Sequence, residues 1–281
     1  MESGNWIVGN LQSAIGMWNA KLAEIWLLIT QSPETFKGGA VWDVVLNIHG
    51  AIKAIAYGLL VLFFVMGVMK TCGSFQEIKR PETAFKLFIR FVLAKAAVGY
   101  GLEILMAFFG IAQGAIATIM ASSGMSPGAA TTLPAEIVTK ITEVDFLNSI
   151  PLWIVTLLGS LFIWVLSLIM ILTVYGRFFK IYIATALAPI PLASFAGEGT
   201  SSIGKGFLKS YAALCLEGCV IILACVIFSA FASSPPAIND PSLPVVTVVW
   251  NYVAELIFNM LVLVGAVKMS DRLIRELFGL S

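Results

Sequence analysis

Lys95, Glu103, Glu217, Asn251, Glu255 and Asn259 fall inside long apolar runs, where a polar or ionisable group is costly and is either paired or functional. Lys95 and Glu103 are eight positions apart with Gly99 between them, so on one helix they would share a face. Asn251, Glu255 and Asn259 recur at four-residue spacing as a polar stripe, and Glu217 lies near the start of another run. By depth, Lys95, Glu217 and Asn259 form one intramembrane layer, and Glu103 and Glu255 a second. Two chemistries suit such a set: pairing that fixes helix packing, or the lining of a water-filled pathway. Lys95 with Glu217 is the pair expected to interact directly or through water, because an unpaired lysine at that depth must snorkel.

Catalytic chemistry is poorly provided for. His49 is the only histidine, which removes a zinc-peptidase helix and most general-base arrangements. No serine occupies a nucleophile-elbow sequence. Gly199 to Lys205 matches the first seven positions of a phosphate-binding P-loop, but Gly206 follows where Ser or Thr must hold magnesium. No buried strand precedes it either, so this stretch reads as a flexible glycine-rich loop. Cys215 and Cys219 have helical spacing, yet no further His or Cys completes a tetrahedral metal set, and they read with Cys225 as small hydrophobes. Cys72 sits just past another apolar run. No catalytic, metal or cofactor residue is assigned, and the chain reads as a non-enzyme.

The elements that position these residues are membrane spans. Hydrophobic residues make up 59% of the chain and charged residues 12%, about half the share of soluble domains. Mean hydropathy is +0.95. Net charge is +1, with no block large enough for nucleic-acid capture. Taking ~20 apolar residues per crossing, the spans are Ala51–Met69, Phe88–Gly110, Trp153–Tyr175, Tyr211–Ala232 and Val246–Val267. Residues 1–50 form an amphipathic, extracytoplasmic N-terminal segment, and 51–281 the transmembrane domain. Leu11, Ile15, Trp18, Leu22, Ile25 and Ile29 recur at helical spacing there. Trp6, Trp18, Trp26 and Trp42 favour a membrane interface, although packing on the rest of the protein fits equally. Gln31-Ser32-Pro33 and Lys37-Gly38-Gly39 mark two breaks. The fold class is all-α and polytopic: about five transmembrane helices, a proline-broken re-entrant element and the amphipathic segment.

Twelve basic residues lie in one set of connections and four in the other, which puts the N-terminus outside and the C-terminus in the cytoplasm. The first set includes Lys70, Lys79, Arg80, Arg177, Lys180, Lys205, Lys209 and the C-terminal Lys268, Arg272 and Arg275. Glu136, Glu143, Asp145 and Asp240 make the other set acidic. Ile181–Phe195, broken by Pro189 and Pro191, keeps every basic cluster on one side only if it dips in and returns. Pro189, Pro191, Gly197, Gly204 and Gly206 are its expected hinge residues. Gly110, Gly114 and Ala117 make a small-residue pattern of the kind used in helix contacts, within or between subunits.

A long span, a basic end, the Ala188-Pro-Ile-Pro-Leu-Ala193 elbow and the Gly204-Lys205-Gly206-Phe207 turn before the next span resemble the TrbL-type conjugal transfer proteins. These are polytopic inner-membrane subunits of type IV secretion systems. The resemblance runs from Trp153 to about Phe231. It implies a non-enzymatic channel or assembly component in the cytoplasmic membrane of a bacterium, helping to move DNA or protein across it. Implied partners are an assembly ATPase, a coupling protein, pilin-like and bitopic subunits, lipid, the transient DNA or protein cargo, and further copies of the chain as a homo-oligomer. The rival reading is a secondary transporter or small channel with a broken-helix site, although such folds usually show two matching halves and only one broken element is present here.

Overall fold

The structure, a computed structural model, describes residues 5–71, 81–123, 131–142, 144, 146–231 and 244–280. Cys72, Lys79, Arg80, Glu143, Asp145 and Asp240 lie outside the described residues. Among those described, every regular element is helical: α1 (Asn5–Thr30), α2 (Ala40–Thr71), α3 (Pro81–Gly99), α4 (Gly101–Ser123), α5 (Ala135–Thr142), α6 (Phe146–Leu187), α7 (Pro189–Ala193), α8 (Ser201–Phe231) and α9 (Val245–Leu277). Five stretches are long and apolar enough to cross a bilayer: Phe36–Lys70, Gly101–Ser122, Ile150–Leu187, Ser201–Phe231 and Val245–Leu277. The chain is an all-α polytopic membrane protein.

The second span differs from its expected position. The run Phe88–Gly110 is not one helix, because it divides at Tyr100. Gly99 and Gly101 flank the tyrosine, and each glycine costs a helix about 1 kcal/mol relative to alanine. Lys53 on α2 donates to the Gly99 carbonyl at 2.6 Å, giving that carbonyl a partner at the break. The crossing is therefore α4, and α3 is a separate helix ahead of it.

The chain divides into two compact units. The first comprises Met1–Thr30, Ala117–Tyr175 and Cys219–Ser270. Within it α1 buries Ile7, Leu11, Ile15, Trp18, Ile25 and Ile29. Trp6 packs at a tilt against Trp153 of α6, ring centres 5.7 Å apart, Ser160 donates to the Asn10 carbonyl, and Tyr175 to the Glu24 carboxylate. Trp18 and Trp26 are thus packing residues rather than interface anchors, because the apolar face they sit on lies against protein. Gly159 lets α9 approach α6, since a Cβ there would lie 2.5 Å from Val253.

The second unit comprises Gln31–Ile116, Gly176–Gly218 and Asp271–Ser281. It opens with the expected break after Thr30, and Lys37, Gly38 and Gly39 follow at positive φ before α2 begins. Its apolar centre is built from Ala56 and Leu60 of α2, Ala94 and Val98 of α3, Leu105 and Phe109 of α4, Leu192 and Ala193 of α7, and Tyr211 and Leu214 of α8. Small side chains dominate where α7 meets α2 and α3. Lipid tails are as apolar as leucine, so close packing of this kind, not water exclusion, is what holds helices together in a bilayer.

Candidate functional site

The proline-broken stretch is a hairpin with two helical legs. Helical backbone continues through Ala188 (φ −51°, ψ −37°), α7 and a 3-10 turn at Ser194–Ala196, and leaves the helical region only at Gly197 (φ −100°, ψ 141°). The prolines break hydrogen bonds rather than direction. Pro189 has no N–H for the Thr185 carbonyl four residues back, and Pro191 has none for Leu187. The buried His49 of α2 makes up the first deficit, its Nδ1 lying 2.8 Å from the Thr185 carbonyl. With that carbonyl as acceptor, Nδ1 carries the proton. The Thr185 hydroxyl meets the Tyr211 hydroxyl of α8 at 3.1 Å, tying the two legs together.

The reversal is made by Gly197–Thr200. Thr200 donates to the Ser194 carbonyl at 2.8 Å, and Ser201 N–H to the Gly197 carbonyl at 3.1 Å. A Cβ on Gly197 would lie 2.6 Å from the Phe63 carbonyl of α2, and one on Gly67 would lie 3.0 Å from the Gly197 Cα. Two glycines therefore bring the tip against α2 backbone to backbone. Gly204 and Gly206 are not loop residues: α8 begins at Ser201 and includes both. Gly204 makes room for the Phe195 ring, 2.8 Å from where its Cβ would stand, while nothing crowds Gly206. The P-loop-like run Gly199–Lys205 is correspondingly a turn entering a helix.

At the open end of the hairpin lies a group of charges. Arg177 is 1% exposed, with its Nη2 2.9 Å from the Cys215 carbonyl and its Nε 3.4 Å from the Leu214 carbonyl. Its guanidinium lies 6.0 Å from the Phe109 ring centre and 5.9 Å from that of Phe178. A Cβ on Gly218 would come within 2.7 Å of the guanidinium, so only glycine leaves α8 open to it there. Glu217, also 1% exposed, is 3.9 Å from Lys180, which contacts Asp271 of α9 at 3.1 Å; Asp271 then accepts from Arg275 at 3.2 Å. Burying an ion costs several kcal/mol unless it is compensated, so the α6–α8–α9 register is held where these groups meet.

Within the second unit the expected Lys95–Glu217 pairing is not made. Glu217 is buried, and its ion pair is with Lys180. Lys95 is exposed on α3 and makes no ion pair among the described residues. The division at Tyr100 explains this, since Lys95 and Glu103 no longer share one helix, and Glu103 is exposed on α4. In the first unit Asn251 and Glu255 are exposed and Asn259 half-buried, while Tyr252, Val253, Leu256 and Met260 turn inward on the opposite face of α9. Sequence reasoning missed Arg177 by counting it among flanking cations. The available signal was its position between Tyr175 and Phe178, with apolar sequence on both sides.

Among the described residues no group of His, Cys, Asp and Glu is placed to hold a metal ion. Comparison with family models matches residues 18–189 to the family described as TrbL/VirB6 plasmid conjugal transfer like protein. The match runs from within α1 to Pro189 and so covers more than half of the chain. No curated protein and no solved structure matches.

Proposed function

The chain belongs to the TrbL/VirB6 plasmid conjugal transfer-like family, a multi-pass inner-membrane component of type IV secretion, and from that premise we propose that it helps carry DNA or protein across the cytoplasmic membrane. It acts as a non-enzymatic channel or assembly subunit, energised by separate ATPases of the same machine. The observation that carries this reading is the family match through the long α6 to its proline-marked end.

Its partners in this reading are the assembly ATPase, the coupling protein, and pilin-like and bitopic subunits, together with further copies of itself. Glu103 and Glu255, exposed on apolar helices, suit a neighbouring subunit or a water-filled path better than lipid. Open space beside Gly110 and Gly114 suits close helix approach. The N-terminal segment lies outside and the C-terminal basic end, Lys268, Arg272 and Arg275, in the cytoplasm.

Disrupting the gene in its own host tests the proposal. Transfer to recipient cells, or secretion of the cargo, should be lost and restored by the intact chain supplied in trans. Transfer at the original frequency without the chain would remove the assignment.

A further inference from the structure

Beside the hairpin tip, within the second unit, is a cavity of about 400 Å³, inside the range of small-molecule sites. Its lining divides by chemistry. Lys86, Arg90, Lys205 and Ser201 supply a cationic, hydrogen-bonding mouth, and Ile89, Leu93, Ala94, Ala97 and Phe195 an apolar slot. On α3, Lys86, Arg90, Leu93, Ala94 and Ala97 share one face, so the slot runs along the helix away from Arg90 for roughly 10 Å. Among the described residues the acid that pairs with a lining cation is Glu198, 3.6 Å from Arg90. The surrounding surface of α3 carries exposed Phe85, Phe88 and Val92, as a lipid-facing helix would.

We propose that this cavity binds an anionic phospholipid, its phosphodiester between Lys86, Arg90 and Lys205 and one acyl chain along the Leu93–Ala97 slot. A basic mouth opening onto an apolar slot between membrane helices fits no water-soluble anion as well, because such an anion leaves the slot empty. Gly204 belongs to the site indirectly. Its missing Cβ lets the Phe195 ring lie back against α8, and any side chain there pushes the ring toward the slot.

Native mass spectrometry of the full chain in detergent, titrated with phosphatidylglycerol or phosphatidylcholine, tests this. Phosphatidylglycerol should be retained in preference. The K86Q/R90Q/K205Q variant should hold it on the order of a hundredfold less tightly, given the usual worth of each basic residue near an anionic headgroup. A control removing the same charge elsewhere, K37Q/K140Q/K268Q, should bind as the parent does. Gly204→Leu should weaken binding with all three cations kept, and inorganic phosphate should compete poorly. Equal retention of both lipids, equal loss in the control, or full competition by inorganic phosphate would each overturn the proposal, the last in favour of a plain anion site.

Discussion

Arg177 and Gly218 act as one fitting. The guanidinium reaches the Leu214 and Cys215 carbonyls only because position 218 has no side chain. Gly218→Ala should therefore destabilise the protein by about 1–3 kcal/mol, the usual cost of overpacking, read as a lower unfolding midpoint in detergent. In an Arg177→Met background the same change should cost much less, since the colliding group is gone. The charge pairing makes a second prediction. Lys180 and Glu217 should show a coupling of order 0.6 kcal/mol in a double-mutant cycle, the average for membrane helix pairs, whereas Lys95 and Glu217 should be additive. Little of this was legible in the sequence. Arg177 looks like any span-flanking cation, and Lys95 like a buried partner, because spacing along the chain does not reveal which side of a helix meets protein.

Elements were read more successfully than contacts. The long apolar runs, the break at Gln31–Pro33 and the turn at Lys37–Gly39 are each fixed locally, by composition or by residues suited to positive φ, so sequence was enough. The division at Tyr100 was not legible, because its carbonyl partner Lys53 is distant in sequence. Nor was the helical character of Gly204 and Gly206, which glycine content argues against and the packing of Phe195 explains. At the α6–α7 junction, Pro189→Ala with Pro191→Ala would return N–H groups toward the Thr185 and Leu187 carbonyls. The restored helix bond then competes with His49 for Thr185, and removing prolines worth ~3 kcal/mol of helix disruption stiffens the leg. Transfer frequency should fall while the amount of protein in the membrane fraction holds. A double variant that transfers normally would make the loosened junction incidental.

For the whole molecule, orientation is the question that charge counting addresses. The hairpin qualifies that count. Lys180 stands at its open end beside Glu217 and Asp271 while Lys205 stands near its tip, roughly 18 Å away along α8, so these cations do not form one patch. The proposed orientation consequently leans on the C-terminal Lys268, Arg272 and Arg275. Fluorescent protein fused after Ser281 should mature and fluoresce, and alkaline phosphatase fused at the same point should stay inactive. In a background lacking all four cysteines, a thiol introduced at Ser3 should react with an impermeant reagent in intact cells. Active phosphatase at the C-terminus would reverse the assignment.

The meeting of Gly67 with Gly197 also sets a schedule for biosynthesis. The two residues are about 130 positions apart, so α2 enters the bilayer roughly ten seconds before the chain that packs against it has been translated. Through that interval Phe64 can already pack on Phe91 of α3, but the Gly67 face still waits for its partner. Ribosomes stalled before codon 189 should leave fragments that membrane proteases clear quickly, and release beyond α8 should yield a long-lived product. Pulse-chase of the two lengths would display the difference as half-lives, making the tip contact the point at which the nascent chain passes from client to finished subunit.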